Sequence, residues 1–149
     1  MSEIIKTGLV ERIEQLITEA KKRTISAVNT AMVYTYYEIG RMIVDDEQQG
    51  EERAKYGKAV LKELSIRLTN KFGKGFSVDN LENMRRFYLI YSNSETLSRN
   101  LAFTLSWSHY LKLMRIDNPE ERRFYEIEAK ENNWSLRQLL KIPRSKKLN

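Results

Sequence analysis

The sequence predicts a mainly α protein in which a long N-terminal helix packs on a helical bundle with a helix-turn-helix-like core. Composition is the first reason: 149 residues carry only two prolines and six glycines, and good helix formers fill the stretches between them. Periodicity is the second, because apolar side chains recur at steps of three and four through most of the chain, the spacing that puts them on one face of a helix. Punctuation is the third: Ser77, Asn118-Pro119 and Ser135 each stand just before such a stretch, where a helix start needs a side-chain acceptor.

The first helix is expected over residues 3–47, either single or as two nearly collinear pieces. Ile13, Ile17, Ala20, Thr24, Val28, Ala31, Thr35, Ile39 and Met42 form its stripe. The small residues Ala20, Ala27, Ala31 and Gly40 would let another helix come close, and Tyr34, Tyr36 and Tyr37 would cover neighbours. This helix reads as a spine for packing or for dimerisation. A polar run over residues 45–50 ends it.

A second helix is expected over residues 57–72, with Leu61, Leu64, Leu68 and Phe72 as its apolar stripe. Gly73-Lys74-Gly75-Phe76-Ser77 breaks it, since two glycines supply positive φ at a tight turn and Ser77 caps the next helix. That third helix, to residue 91, is expected to bury Leu81, Met84, Tyr88 and Tyr91. With about 100° of rotation per residue, Asp79, Asn83 and Arg86 then face outward and Arg85 flanks the buried stripe. Residues 92–100 read as a polar loop with room for a helical turn at Leu97 and Leu101.

Ser106 opens a helix carrying Trp107, Tyr110, Leu111 and Met114 on one face. Asp117-Asn118-Pro119-Glu120-Glu121 starts another, with a capping side chain, proline at the first helical position and acids in the first turn. It should run to about residue 133. Ser135 and Gln138 fit a capping box for a short last helix bearing Leu136, Leu139 and Leu140, which Pro143 stops. The expected organisation is one helical domain over residues 1–142 and a basic tail or linker over 143–149.

Composition excludes several function classes. No run of about 18 apolar residues and no secretory leader is present, so a cytoplasmic protein without a membrane partner is expected. Zero cysteines and one histidine rule out a disulfide, a thiolate metal site, a cysteine nucleophile and a histidine-only metal site within one chain. No cofactor is expected. Glu128-Ala129-Lys130 has an acid-x-Lys spacing, but it lies in a helical pattern with no strand before it, so it does not read as a metal-dependent nuclease centre.

The formal charge of +6 is unevenly placed. Nine Lys and Arg face three acids between residues 53 and 86, and five basic residues with no acid follow from Arg137 onward. Concentrated positive charge is what a polyanion-binding surface requires. The helix, glycine turn and Ser-capped helix over residues 58–91 have the order of a helix-turn-helix, which lays its second helix in the major groove. Asn83 and Arg86 suit base edges, as Asn pairs bidentately with adenine and Arg with guanine. Lys71, Lys74 and Ser77 at the turn, and Arg85 beside the stripe, complete the expected DNA contacts. Against this, Glu82 precedes Arg86 by four residues, the order of a plain surface ion pair. Trp107, Tyr110 and Trp134 read as core, and His109 as a hydrogen-bonded structural histidine.

Several blocks in order resemble the amino-terminal region of the YhcG-type family of PD-(D/E)XK nucleases. They are Ala54-Lys55-Tyr56-Gly57-Lys58, Leu61-Lys62-Glu63-Leu64-Ser65, and Phe72-Gly73-Lys74-Gly75-Phe76-Ser77 followed by Asn80-Leu81 and Met84. Leu105-Ser106-Trp107-Ser108-His109-Tyr110, Asn118-Pro119, Arg123-Phe124-Tyr125 and Trp134-Ser135-Leu136-Arg137-Gln138-Leu139 continue the likeness almost to the end. In that family a separate nuclease domain follows the helical region, and this sequence lacks it. The resemblance implies a non-catalytic DNA-binding or targeting module and carries over no functional residues. The expected partners are DNA, a second copy through the long first helix, and a nuclease or restriction-system protein. The alternative from the sequence is an interaction or dimerisation module with no direct DNA contact.

Overall fold

The computed structural model describes residues 7–49, 53–92 and 103–141. Six helices occupy these stretches, with no strand among them: α1 Thr7–Gln49, α2 Arg53–Phe72, α3 Val78–Ser92, α4 Trp107–Leu113, α5 Pro119–Glu131 and α6 Leu136–Leu140. The expected loop and turn over residues 93–100 and the tail over 143–149 lie outside the described residues. α1 is one continuous helix of 43 residues, about 65 Å long at 1.5 Å per residue.

The starts of the later helices follow the sequence. Asn118 Oδ1 accepts from the Glu120 and Glu121 amides at 2.8 and 3.0 Å, with Pro119 next in line. Ser135 and Gln138 close the capping box, Oγ accepting from the Gln138 amide at 3.2 Å and Oε1 from the Ser135 amide at 2.7 Å. α5 ends by a device the sequence concealed. Asn133 takes a left-handed φ of 51°, and the Trp134 and Asn133 amides return to the Ala129 and Lys130 carbonyls, the bond pattern of a Schellman cap. Asparagine stands there in place of the usual glycine.

α1 packs chiefly on α3, and not by the face expected. Of the nine stripe residues, Ile13, Ile17, Ala20, Thr24, Val28, Ala31, Thr35 and Met42 are exposed and Ile39 is half-buried. Val33, Gly40 and Val44 enter the body instead, with Tyr37 beside them. They too step by three and four, but on the opposite side of the helix. The physical reason is the closeness of the crossing. A Cβ on Gly40 would overlap the Met84 carbonyl oxygen and stand 2.8 Å from its carbon and 3.0 Å from the Tyr88 Cβ. Only the face bearing this glycine can seat against α3.

Two apolar clusters meet along that crossing. One joins Ile43 of α1, Leu61 of α2, and Leu81 and Met84 of α3. The other centres on Phe87, fully buried, whose ring lies 4.9 Å from Tyr91 and Phe103, 5.0 Å from Trp107 and 5.2 Å from Tyr110. Phe87 therefore takes the deep position expected of Tyr88, which is half-buried and leans on Tyr37 at 5.2 Å. Leu113 likewise joins Tyr110 and Met114 in the core of α4, while Trp107 and Leu111 are half-buried.

Gly40→Ala is expected to destabilise the chain by about 1–3 kcal/mol, the usual cost of forcing volume into a filled contact, despite alanine's better helix propensity. Urea denaturation followed by far-UV circular dichroism measures it. An alanine variant as stable as the parent would show that the two helices can separate without cost.

Candidate nucleic-acid interface

The turn between α2 and α3 is built from its glycines and from Asn80. Gly73 and Gly75 adopt φ of 89° and 105°, a region that side chains disfavour. The Ser77 Oγ accepts from the Asn80 amide at 3.0 Å and caps α3. Asn80 then reaches both ways: its Nδ2 donates to the Gly75 carbonyl at 2.7 Å, and its Oδ1 accepts from the Trp107 indole N–H at 3.0 Å. One amide side chain thus fixes the turn and fastens it to α4. Asn80 appeared in the sequence only as part of a matching block; the signal that could have found it is an amide three residues after a capping serine.

The six expected contact residues fall into two groups. Lys71 and Lys74 are exposed at the turn, Lys71 with its Nζ 5.8 Å from the Phe72 ring centroid. Asn83 is half-buried on the outer side of α3. Ser77, Arg85 and Arg86 instead hold partners within the protein. Arg85 Nε donates to Glu47 at 2.5 Å and Nη1 to Glu82 at 3.2 Å, tying the end of α1 to α3. Arg86 faces outward, as expected, yet its Nη2 donates to the Met114 carbonyl at 2.8 Å. Glu82 consequently pairs three residues ahead, with Arg85, and the anticipated Glu82–Arg86 pair does not form.

The same segment contains Arg67, paired with Glu63 at 2.8 Å. Lys58 and Lys62 are exposed and, like Lys71 and Lys74, make no ion pair among the described residues. Arg67, Arg85 and Arg86 are thus engaged internally, and Lys58, Lys62, Lys71 and Lys74 carry charge that no acid among the described residues pairs.

Away from the turn, His109 is structural. Its Nε2 lies 2.9 Å from the Trp134 carbonyl, which can only accept, so Nε2 carries the proton. Nδ1 then accepts from the Ser106 hydroxyl at 2.6 Å. Glu126 is the one carboxylate raised in pKa among the described residues, because burial outweighs the attraction of Lys130, 3.3 Å away, and of Arg123 and Arg122. Burial also pushes the hydroxyls of Tyr91 and Tyr110 far up. No group of three or more potential metal ligands occurs among the described residues, and none of their helices is long and apolar enough to cross a membrane.

These features define a helical module with a basic, well-anchored turn between two of its helices. The chain belongs to the family described as the DUF1016 N-terminal domain, which it matches over residues 12–147. It is similar to "Putative nuclease YhcG" of Escherichia coli (strain K12), with 37% identity over 155 residues covering 85% of this chain and 41% of that protein. The chain therefore spans less than half the length of this curated relative. No solved structure matches it.

Glu126→Gln gives a pH-dependent prediction. A carboxyl whose pKa is raised by folding contributes stability that is present below its unfolded value and lost as pH rises through the folded one. Near neutral pH the charged Glu126 is therefore a net cost, and the glutamine variant should melt at a higher temperature than the parent. The gap should close as pH falls toward 4.5, the ordinary carboxylate value. Thermal melts across this range decide it; a lower melting temperature for the variant at pH 7 would mean that the Lys130 pair outweighs burial.

Proposed function

We propose that this chain is a DNA-engaging module of a nuclease system, holding duplex DNA without cutting it. The observation that carries this reading is the set of exposed lysines at and before the α2–α3 turn, Lys58, Lys62, Lys71 and Lys74, whose charge no acid among the described residues takes up. Exposed ammonium groups without an acid partner suit phosphates, which set position without reading sequence. Likeness to a protein named as a nuclease supports DNA as the polyanion. Cleavage chemistry belongs, on this reading, to a catalytic domain of the family that works with this module.

Among the residues expected at the interface, Lys71 and Lys74 take the phosphate role, with Asn83 and Arg86 on the outward side of α3. Arg85 and Ser77 hold the segment in shape. Because Arg86 also supports the Met114 carbonyl, its removal would mix binding with stability, and the lysines give the cleaner test. Affinity of the parent for short duplex DNA should fall steeply with salt. Lys71→Glu with Lys74→Glu should weaken it by about tenfold or more at low salt and reduce the salt slope by about two, roughly one for each phosphate contact removed. Fluorescence anisotropy measures both. Absence of binding by the parent at low salt, or undiminished binding by the double variant, would refute the assignment. DNA cut by the purified chain with added magnesium or manganese would refute its non-catalytic role.

A further inference from the structure

α1 carries two apolar faces about 180° apart, and the body uses one of them. The other runs along Val10, Ile13, Ile17, Thr24 and Val28 and is exposed throughout; Ile13, Ile17 and Val28 are 47%, 51% and 55% accessible. It continues past Met42 into an apolar groove of about 620 Å³ between α1 and α2. Even its threonines are turned apolar side out. The Thr24 hydroxyl donates back to the Ala20 carbonyl at 3.1 Å and that of Thr35 to the Ala31 carbonyl at 2.8 Å, so neither hydroxyl needs water and the methyl groups remain. An uncovered apolar strip of this length on a charged, water-exposed helix marks an interaction surface.

We propose that residues 10–28 of α1 pair with the same segment of a second copy, antiparallel, as a two-stranded coiled coil. Spacing supports a helical partner. Val10, Ile13, Ile17, Ala20, Thr24, Ala27 and Ala31 alternate steps of three and four without a break, the heptad seam that two helices share. Small Ala20 and Ala27 on that seam admit a close neighbour. The charges select both the partner and its direction. The start of the segment holds three acids, Glu11, Glu14 and Glu19, against the single base Arg12, and beyond it Lys21 and Arg23 carry positive charge, with Lys22 turned toward the body. An antiparallel copy sets one half against the other. With Ile17 facing Ala20 of the second copy, Glu14 falls beside Lys21 on the flank of the seam. Parallel strands would set each charge block beside its own kind. The body does not obstruct this pairing, because Lys22, Ser26 and Asn29, which line a cleft with residues 104–106, lie on the other side of α1.

The inference is independent of DNA binding and is tested without nucleic acid. Sedimentation equilibrium of the chain should show a reversible dimer. Ile17→Asp, at a site half exposed in the single copy, should weaken association by about tenfold or more while circular dichroism stays that of a folded helical protein. Glu14→Lys and Lys21→Glu should each weaken it, and the two together should restore it toward the parent. Because the chain has no cysteine, a mixture of Ile17→Cys and Ala20→Cys chains should form a disulfide-linked pair on oxidation, which fixes the register. A chain that stays monomeric at high concentration overturns the proposal, including one that binds vesicles or another protein by this face as a monomer. So does a dimer indifferent to Ile17→Asp. A double charge variant as weak as the single ones overturns the antiparallel direction.

Discussion

The contact of Gly40 with the Met84 backbone is the constraint from which the architecture follows. Helices cross at 8–10 Å depending on the side chains between them, and with none on Gly40 the backbone of α1 comes against that of α3. That approach fixes which face of a 43-residue helix looks inward. It also sets Tyr37 and Val33 one and two steps along the same face, where they meet the aromatic cluster around Phe87. On the other side of the crossing, Ile43 reaches Leu61 and Leu81. Both clusters are organised around one missing side chain.

The turn depends on the same scaffold at one remove. α3 is held against α1 by packing, and at the end of α1 by Arg85 on Glu47. Asn80 converts that rigid helix into a rigid turn, since its amide bonds both the Gly75 carbonyl and the Trp107 indole. Trp107 in turn packs on Tyr36 and Phe87 at 4.9 and 5.0 Å. Ring, indole N–H, amide and glycine carbonyl form one chain of contacts from the aromatic core to the exposed lysines. A surface that recognises a polyanion by position needs such support, because a loosely held ammonium gains little that bulk salt would not also supply.

Much of this was legible in the sequence. Helix number within the described residues, the Ser77, Ser106, Asn118 and Ser135 starts and the glycine turn all rest on local chemistry, which a short window of sequence contains in full. Gly40 was legible as a point of close approach. The orientation of α1 was not, because both of its faces obey the same steps of three and four, and periodicity cannot rank two stripes of equal spacing. Apolar content favoured Ile13, Ile17 and Val28; the body chose the face with glycine and tyrosine, whose worth depends on the partner helix. Phe87 was missed for the same reason. Its value comes from Phe103 and Tyr110, which lie in a different part of the chain. Of the six expected contact residues, Ser77 holds a cap partner that the local sequence sets, whereas the Glu47 partner of Arg85 and the Met114 partner of Arg86 are set by tertiary structure.

The two arginines also show why residue type alone is a poor guide to a phosphate-binding surface. A planar guanidinium with five donors satisfies a backbone carbonyl or a pair of carboxylates with little loss of entropy per bond. Folding therefore captures it readily, as Arg85 and Arg86 are captured here. An ammonium on a flexible stem is costly to immobilise and strongly hydrated, so Lys58, Lys62, Lys71 and Lys74 are left in solvent. Neighbours of equal formal charge thus divide between holding the fold and remaining available. The charge that matters for a partner is what remains after the internal pairs are counted, and around this turn it is carried by lysine.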